Sequence, residues 1–137
     1  MIVRGEAVIY YGHARLTGDI DIYYENRPEN VDKLFQALLE FWEGDIPGIQ
    51  NKDELLTEGQ IVQFGVPPNR IDLLNYIDGI TFTNAWQNKI AEHLRAGQDA
   101  ILIYYIGLRD LILNNKKDRA AKGFGRPEIF DQVGTVN

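Results

Sequence analysis

The chain has 137 residues, 45% of them apolar, with no cysteine and a formal charge of −6. This length suits one domain over residues 1–137, and the missing cysteine excludes disulfides and thiolate metal sites. The charge argues against a broad nucleic-acid surface. With no run as long as a membrane span and no basic-then-apolar leader, the expectation is a cytoplasmic protein without a membrane partner.

Met1-Ile2-Val3 reads as the tail of a strand. Glu6 to Tyr11 is a short helix closed by Gly12, a suitable residue for the left-handed position after a helix end. Asp19 to Tyr24 alternates polar and apolar residues and reads as a strand with Ile20 and Ile22 in the core. Pro28 to Glu43 is the clearest helix. Pro28 suits its first turn, Glu29 favours its positive end, and Gly44 stops it. Val31, Leu34, Phe35, Leu38, Leu39 and Trp42 form its apolar stripe.

Residues 44–59 read as a loop with one short helical turn. Ile61 to Val66 is a strand, Pro67-Pro68-Asn69 a turn, and Arg70 to Tyr76 a strand with Ile71, Leu73 and Tyr76 inward. Thr81 caps a short helix containing Phe82, Ala85 and Trp86. Lys89 to Leu94 and Ala100 to Tyr104 flank a turn at Ala96-Gly97-Gln98. Gly107 opens a helix carrying Leu108, Leu111, Ile112 and Asn115 on one face. Gly123 and Gly125 mark a loop before a last helix from Pro127 to Val133. Helices and strands in this order predict an α/β or α+β domain, a mixed sheet flanked by helices.

The chemistry concentrates around Asp19 and Asp21. Alternation sends both carboxylates to one face of their strand, where their repulsion calls for a cation. Hard divalent cations such as Mg2+ prefer such oxygens. Gly5 begins a helix, where free N–H groups attract anions, and Arg15 and Thr17 set a cation and a hydroxyl just upstream. Asp72 is an acid inside an apolar strand, where burial demands a partner. Between Leu108 and Arg126, six basic residues (Arg109, Lys116, Lys117, Arg119, Lys122, Arg126) face only Asp110 and Asp118. That segment suits a phosphate ligand, or simply a solvated helix end. His13 reads as a loop residue and His93 as structural. The pairs Tyr10-Tyr11, Tyr23-Tyr24 and Tyr104-Tyr105 offer rings that could stack on a base, and packing explains most of them as well. Trp42 and Trp86 read as packing residues.

Taken together, Arg4-Gly5-Glu6-Ala7, Arg15-Leu16-Thr17-Gly18-Asp19-Ile20-Asp21, Arg70-Ile71-Asp72-Leu73-Leu74, Asn115-Lys116 and Gly125-Arg126-Pro127 resemble the nucleotidyltransferase superfamily related to the DNA polymerase β palm. The resemblance is closest to small bacterial proteins of the minimal and toxin–antitoxin-associated branch, and it runs through nearly the whole chain in order. It implies an N-terminally shortened nucleotidyltransferase-like fold and transfer of a nucleoside monophosphate from an NTP, ATP first, to a hydroxyl acceptor. Asp19, Asp21 and Asp72 would hold two Mg2+ ions, with Asp72 also orienting or deprotonating the acceptor. Gly5, Arg15, Thr17, Lys116 and Arg126 would bind the nucleotide phosphates. The pattern departs at Arg4, where relatives carry a first glycine. It departs also in its short start, where relatives carry a helix and a full strand before the glycine pair. Arg4 and the short start keep open an inactive module that binds a protein partner such as a toxin, and the short start a homo-oligomer that covers an exposed sheet face.

Overall fold

Six strands and four helices form along the described residues, 1–12, 19–66 and 69–121, of a computed structural model. The strands are β1 (Ile2–Val3), β2 (Asp19–Tyr23), β3 (Ile61–Val66), β4 (Asn69–Leu74), β5 (Ile90–Ala96) and β6 (Asp99–Tyr105). The helices are α1 (Arg4–Tyr10), α2 (Pro28–Phe41), α3 (Phe82–Gln87) and α4 (Leu108–Ala121), with a 3-10 turn at Lys52–Leu56. The expected turn at Pro67-Pro68, the loop at Gly123 and Gly125 and the helix from Pro127 lie outside the described residues.

The strands join one mixed sheet in the order β3-β4-β2-β1-β6-β5. β2 runs parallel to β4 and β1 parallel to β6, while β1–β2, β3–β4 and β5–β6 are antiparallel. Alternation lets neighbouring residues serve opposite faces. Tyr23 and Leu74 join Val3, Ala7, Ala85 and Leu111 in a core beneath α1, α3 and α4. Tyr24 and Leu73 join Val31, Leu55, Val62 and Phe64 in a second core beneath α2. The α2 stripe packs on this second core, with the Trp42 and Phe64 ring centres 5.5 Å apart. The helix then ends where the backbone turns left-handed at Glu43 and Gly44 (φ 53° and 92°), and Gly44 N–H donates to the Leu39 carbonyl at 2.7 Å.

Two buried asparagines fasten the loops to this frame. Asn75 donates through Nδ2 to the Thr57 and Leu55 carbonyls (2.9 and 3.2 Å), and its Oδ1 accepts from Gly59 N–H at 2.8 Å. Asn114 on α4 donates to the Asp78 carbonyl at 2.9 Å. Thr81 caps α3 as its position suggested, its Oγ1 accepting from Asn84 N–H at 3.3 Å.

Three inward assignments from the sequence need correction. Ile20 is 39% exposed, because the second core reaches Ile22 and goes no further along β2. Tyr76 is 50% exposed, because β4 ends at Leu74 and the alternation lapses beyond it. On α4 the buried amide is Asn114, next to the Asn115 expected on that face.

Candidate carboxylate site

The parallel pairing of β2 with β4 aligns Asp19 with Arg70, Asp21 with Asp72 and Tyr23 with Leu74. Because in-register neighbours share a face, the three carboxylates and Arg70 emerge on the side that continues into the Tyr23–Leu74 core. Asp19 and Asp21 stand two residues apart on one strand, and Asp72 stands beside Asp21 on the next. The convergence expected from the sequence is therefore present in the backbone register.

Arg70 is bonded to two of the three acids. Its Nε donates to Asp72 Oδ1 at 2.9 Å and its Nη2 to Asp72 Oδ2 at 3.2 Å, a two-pronged grip on one carboxylate. The same Nη2 lies 3.0 Å from Asp19 Oδ2. This accounts for Asp72, which is only 4% exposed and would be costly to bury without a cation.

Asp21 takes a different partner. Burial pushes its carboxyl up to about 6. The Arg4 guanidinium opposes that rise, while the Asp72 charge, a hydrogen bond shared with Asp72 and the Asp19 charge add to it. Arg4 reaches Asp21 because Val3 pairs with Asp21 across β1 and β2, so the β1–α1 junction starts beside the acids. Arg4 adopts φ 58° there, in the left-handed region that glycine occupies without penalty. The backbone at Arg4 is thus one that calls for glycine.

The remaining sequence assignments divide. Gly5 is buried as the second residue of α1, next to this junction. Lys116 is exposed on α4, and the charges acting on Asp21 are those of Arg4, Asp72 and Asp19 instead. Arg15, Thr17, Arg126 and His13 lie outside the described residues. The tyrosines largely pack on one another and on the core. Tyr10 stacks on Tyr105 with ring centres 4.2 Å apart, Tyr23 and Tyr24 are buried, and Tyr104 meets Trp86 edge-on at 4.7 Å. His93 sits exposed on β5. Arg70 was missed as a functional residue, although its place two residues before Asp72 on one strand already puts both on one face.

Two cavities lie elsewhere. One, of about 700 Å3, is lined by Tyr11, Asn88, Ile90, Arg109 and Leu113 among others. The other, of about 440 Å3, lies among Tyr24, Glu25, Lys33, Phe82, Trp86 and Tyr104. Neither includes Asp19, Asp21 or Asp72.

Among the described residues no three His, Asp or Glu side chains are disposed as they stand to hold a metal ion, with Arg70 placed on Asp19 and Asp72. The donor set itself fits a hard divalent cation, being all carboxylate oxygen with excess negative charge on one face. No helix among the described residues is long and apolar enough to cross a membrane. Comparison with protein-family models, with curated proteins and with solved structures returned no match.

Proposed function

We propose that this chain is a Mg2+-dependent nucleotidyltransferase of the cytoplasm, moving a nucleoside monophosphate from an NTP to a hydroxyl acceptor. The observation that supports it is the register of β2 against β4, which sets Asp21 beside Asp72 with Asp19 on the same face. In this reading Asp19, Asp21 and Asp72 would hold Mg2+, which would supply positive charge against the triphosphate and the leaving pyrophosphate.

The chain's own groups have separable tasks. The acceptor oxygen bonds to the α-phosphorus, the bond to pyrophosphate breaks, and the hydroxyl proton needs a base. The family resemblance assigns that proton to Asp72. To accept it, Asp72 would have to be released from Arg70, whose fork engages both of its oxygens. Arg4, at the junction beside Asp21, offers a cation to the phosphates.

Calorimetric titration of ATP with and without Mg2+ tests this reading. The unmodified chain is expected to bind ATP in a Mg2+-dependent way, and Asp19→Asn and Asp21→Asn to lose that dependence. Nucleotide binding that ignores Mg2+, or none at all, rejects it.

A second reading, an inactive nucleotidyltransferase-like module that acts by binding another protein, draws on Arg4. A bulky side chain at φ 58° stands where the backbone would otherwise approach phosphate closely. Nucleotidyl transfer that appears only in Arg4→Gly favours this second reading.

A further inference from the structure

The carboxylate face already contains a cation whose place conflicts with the one a metal would take. Arg70 engages both oxygens of Asp72 and one of Asp19, at 2.9, 3.2 and 3.0 Å. It arrives there by strand geometry: Arg70 and Asp72 lie two apart on β4, and Arg70 is the in-register partner of Asp19 on β2. The guanidinium fork matches a carboxylate in shape as well as charge, which a lysine ammonium does not. A carboxylate oxygen has room for more than one partner, so lone pairs do not limit the site. The limit is charge: a divalent cation on the same oxygens would sit a few ångströms from a fixed positive group in a half-buried place, where screening is weak.

We infer that Arg70 is the built-in counter-cation of this carboxylate face, holding Asp19 and Asp72 together until a divalent cation displaces it. The inference rests on the metal-dependent reading above and adds a competition to it. Without metal, Arg70 neutralises the acids and lets Asp72 be buried. With metal, the guanidinium leaves those oxygens, and metal affinity is what remains after that contact is broken. Arg4 acts on Asp21 instead, so the Arg70 variants leave that cation in place. Arg70 is a positioning residue here, and its effect is read in binding and melting rather than turnover.

The test uses Arg70→Gln, which removes the charge and leaves a shorter polar side chain that can still donate a hydrogen bond, and Arg70→Lys, which keeps the charge without the fork. Mg2+ binding is measured by calorimetry, and thermal melting with and without Mg2+. Arg70→Gln is expected to melt below the unmodified chain when metal-free, to bind Mg2+ roughly tenfold more tightly, and to gain more in melting temperature on adding it. Arg70→Lys is expected to shift Mg2+ affinity in the same direction by less, and it carries the test if the glutamine variant does not fold. Tight Mg2+ binding by a variant beside weak or undetectable binding by the unmodified chain supports the inference. Equal or weaker binding by the variants, with the unmodified chain binding Mg2+, overturns the inference and leaves the metal-dependent reading standing. No Mg2+ binding in any of the three proteins overturns both.

Discussion

The β2–β4 seam and the β5–β6 hairpin belong to one sheet and are built on opposite terms. At the seam, the strands are packed on both faces, Tyr23 and Leu74 into one core and Tyr24 and Leu73 into the other. The three aspartates and Arg70 at its end are held by one another and, at Asp21, by Arg4. At the hairpin, pairing is continuous from Ile90–Tyr105 to Ala96–Asp99, yet Leu94, Ile101 and Leu102 remain exposed. Backbone pairing alone therefore does not mark where the stability of this fold lies. Burial at the seam anchors charges that would be expensive without it, and the hairpin carries apolar side chains that contribute little to either core.

The largest expected effect tests that contrast directly. Leu74→Ala removes a side chain only 1% exposed and is expected to cost about 3 kcal/mol. Leu94→Ala removes one that is 54% exposed and is expected to stay within about 0.5 kcal/mol of the unmodified chain. Urea unfolding of both variants gives the comparison in one experiment. A loss at Leu94 approaching that at Leu74 would mean the hairpin face is covered in solution, and the contrast would fail.

The seam is also where sequence reasoning reached furthest and where it stopped. The Asp19-Ile20-Asp21 alternation was legible because a strand's period of two is local. Asp72 stood out because an acid in an apolar run needs a partner. Nothing local could say that Asp21 would stand opposite Asp72, since that register depends on a crossover through α2 and β3. Alternation also names a face without naming what covers it, which is why Ile20 was expected inward and is exposed. Arg70 was legible in principle. Its spacing of two from Asp72 on one strand already places a guanidinium beside a carboxylate. The sequence shows Arg4 in place of a glycine, but its positive φ emerges only from the geometry of the β1–α1 junction.

A second, smaller effect separates the seam's charges from the rest of the chain. Asp21 ionises near pH 6 in the fold against an ordinary 3.8, so the folded chain binds its proton more tightly than the unfolded chain does. The stabilisation from that proton is complete below the ordinary value and is lost as pH rises through about 6. The unmodified chain is therefore expected to lose stability between about pH 4 and about pH 6 relative to Asp21→Asn, whose side chain does not titrate. Since Asp21 is only half-buried, solvent screening keeps the effect below that of Leu74→Ala. Urea midpoints for the two proteins across this range check it. A constant difference between them would place Asp21 in water and out of the seam.

Arg4→Gly is the smallest and the most informative about how the seam was assembled. A non-glycine residue in the left-handed region carries roughly 1–2 kcal/mol of strain, which glycine relieves. Glycine also returns roughly 0.5–1 kcal/mol through the greater freedom of the unfolded chain. The variant loses as well the one cation that opposes the rise of Asp21. These terms nearly cancel, so the expected gain near neutral pH is under about 1 kcal/mol. Protonating Asp21 removes the need for that cation, so the gain should grow as pH falls from neutral towards about 6 and level off below it. That pH dependence distinguishes the two roles of Arg4. If strain is its only consequence, the gain is the same at every pH. If Arg4 also counterbalances Asp21, the gain increases on acidification and disappears when Asp21→Asn is added to the variant.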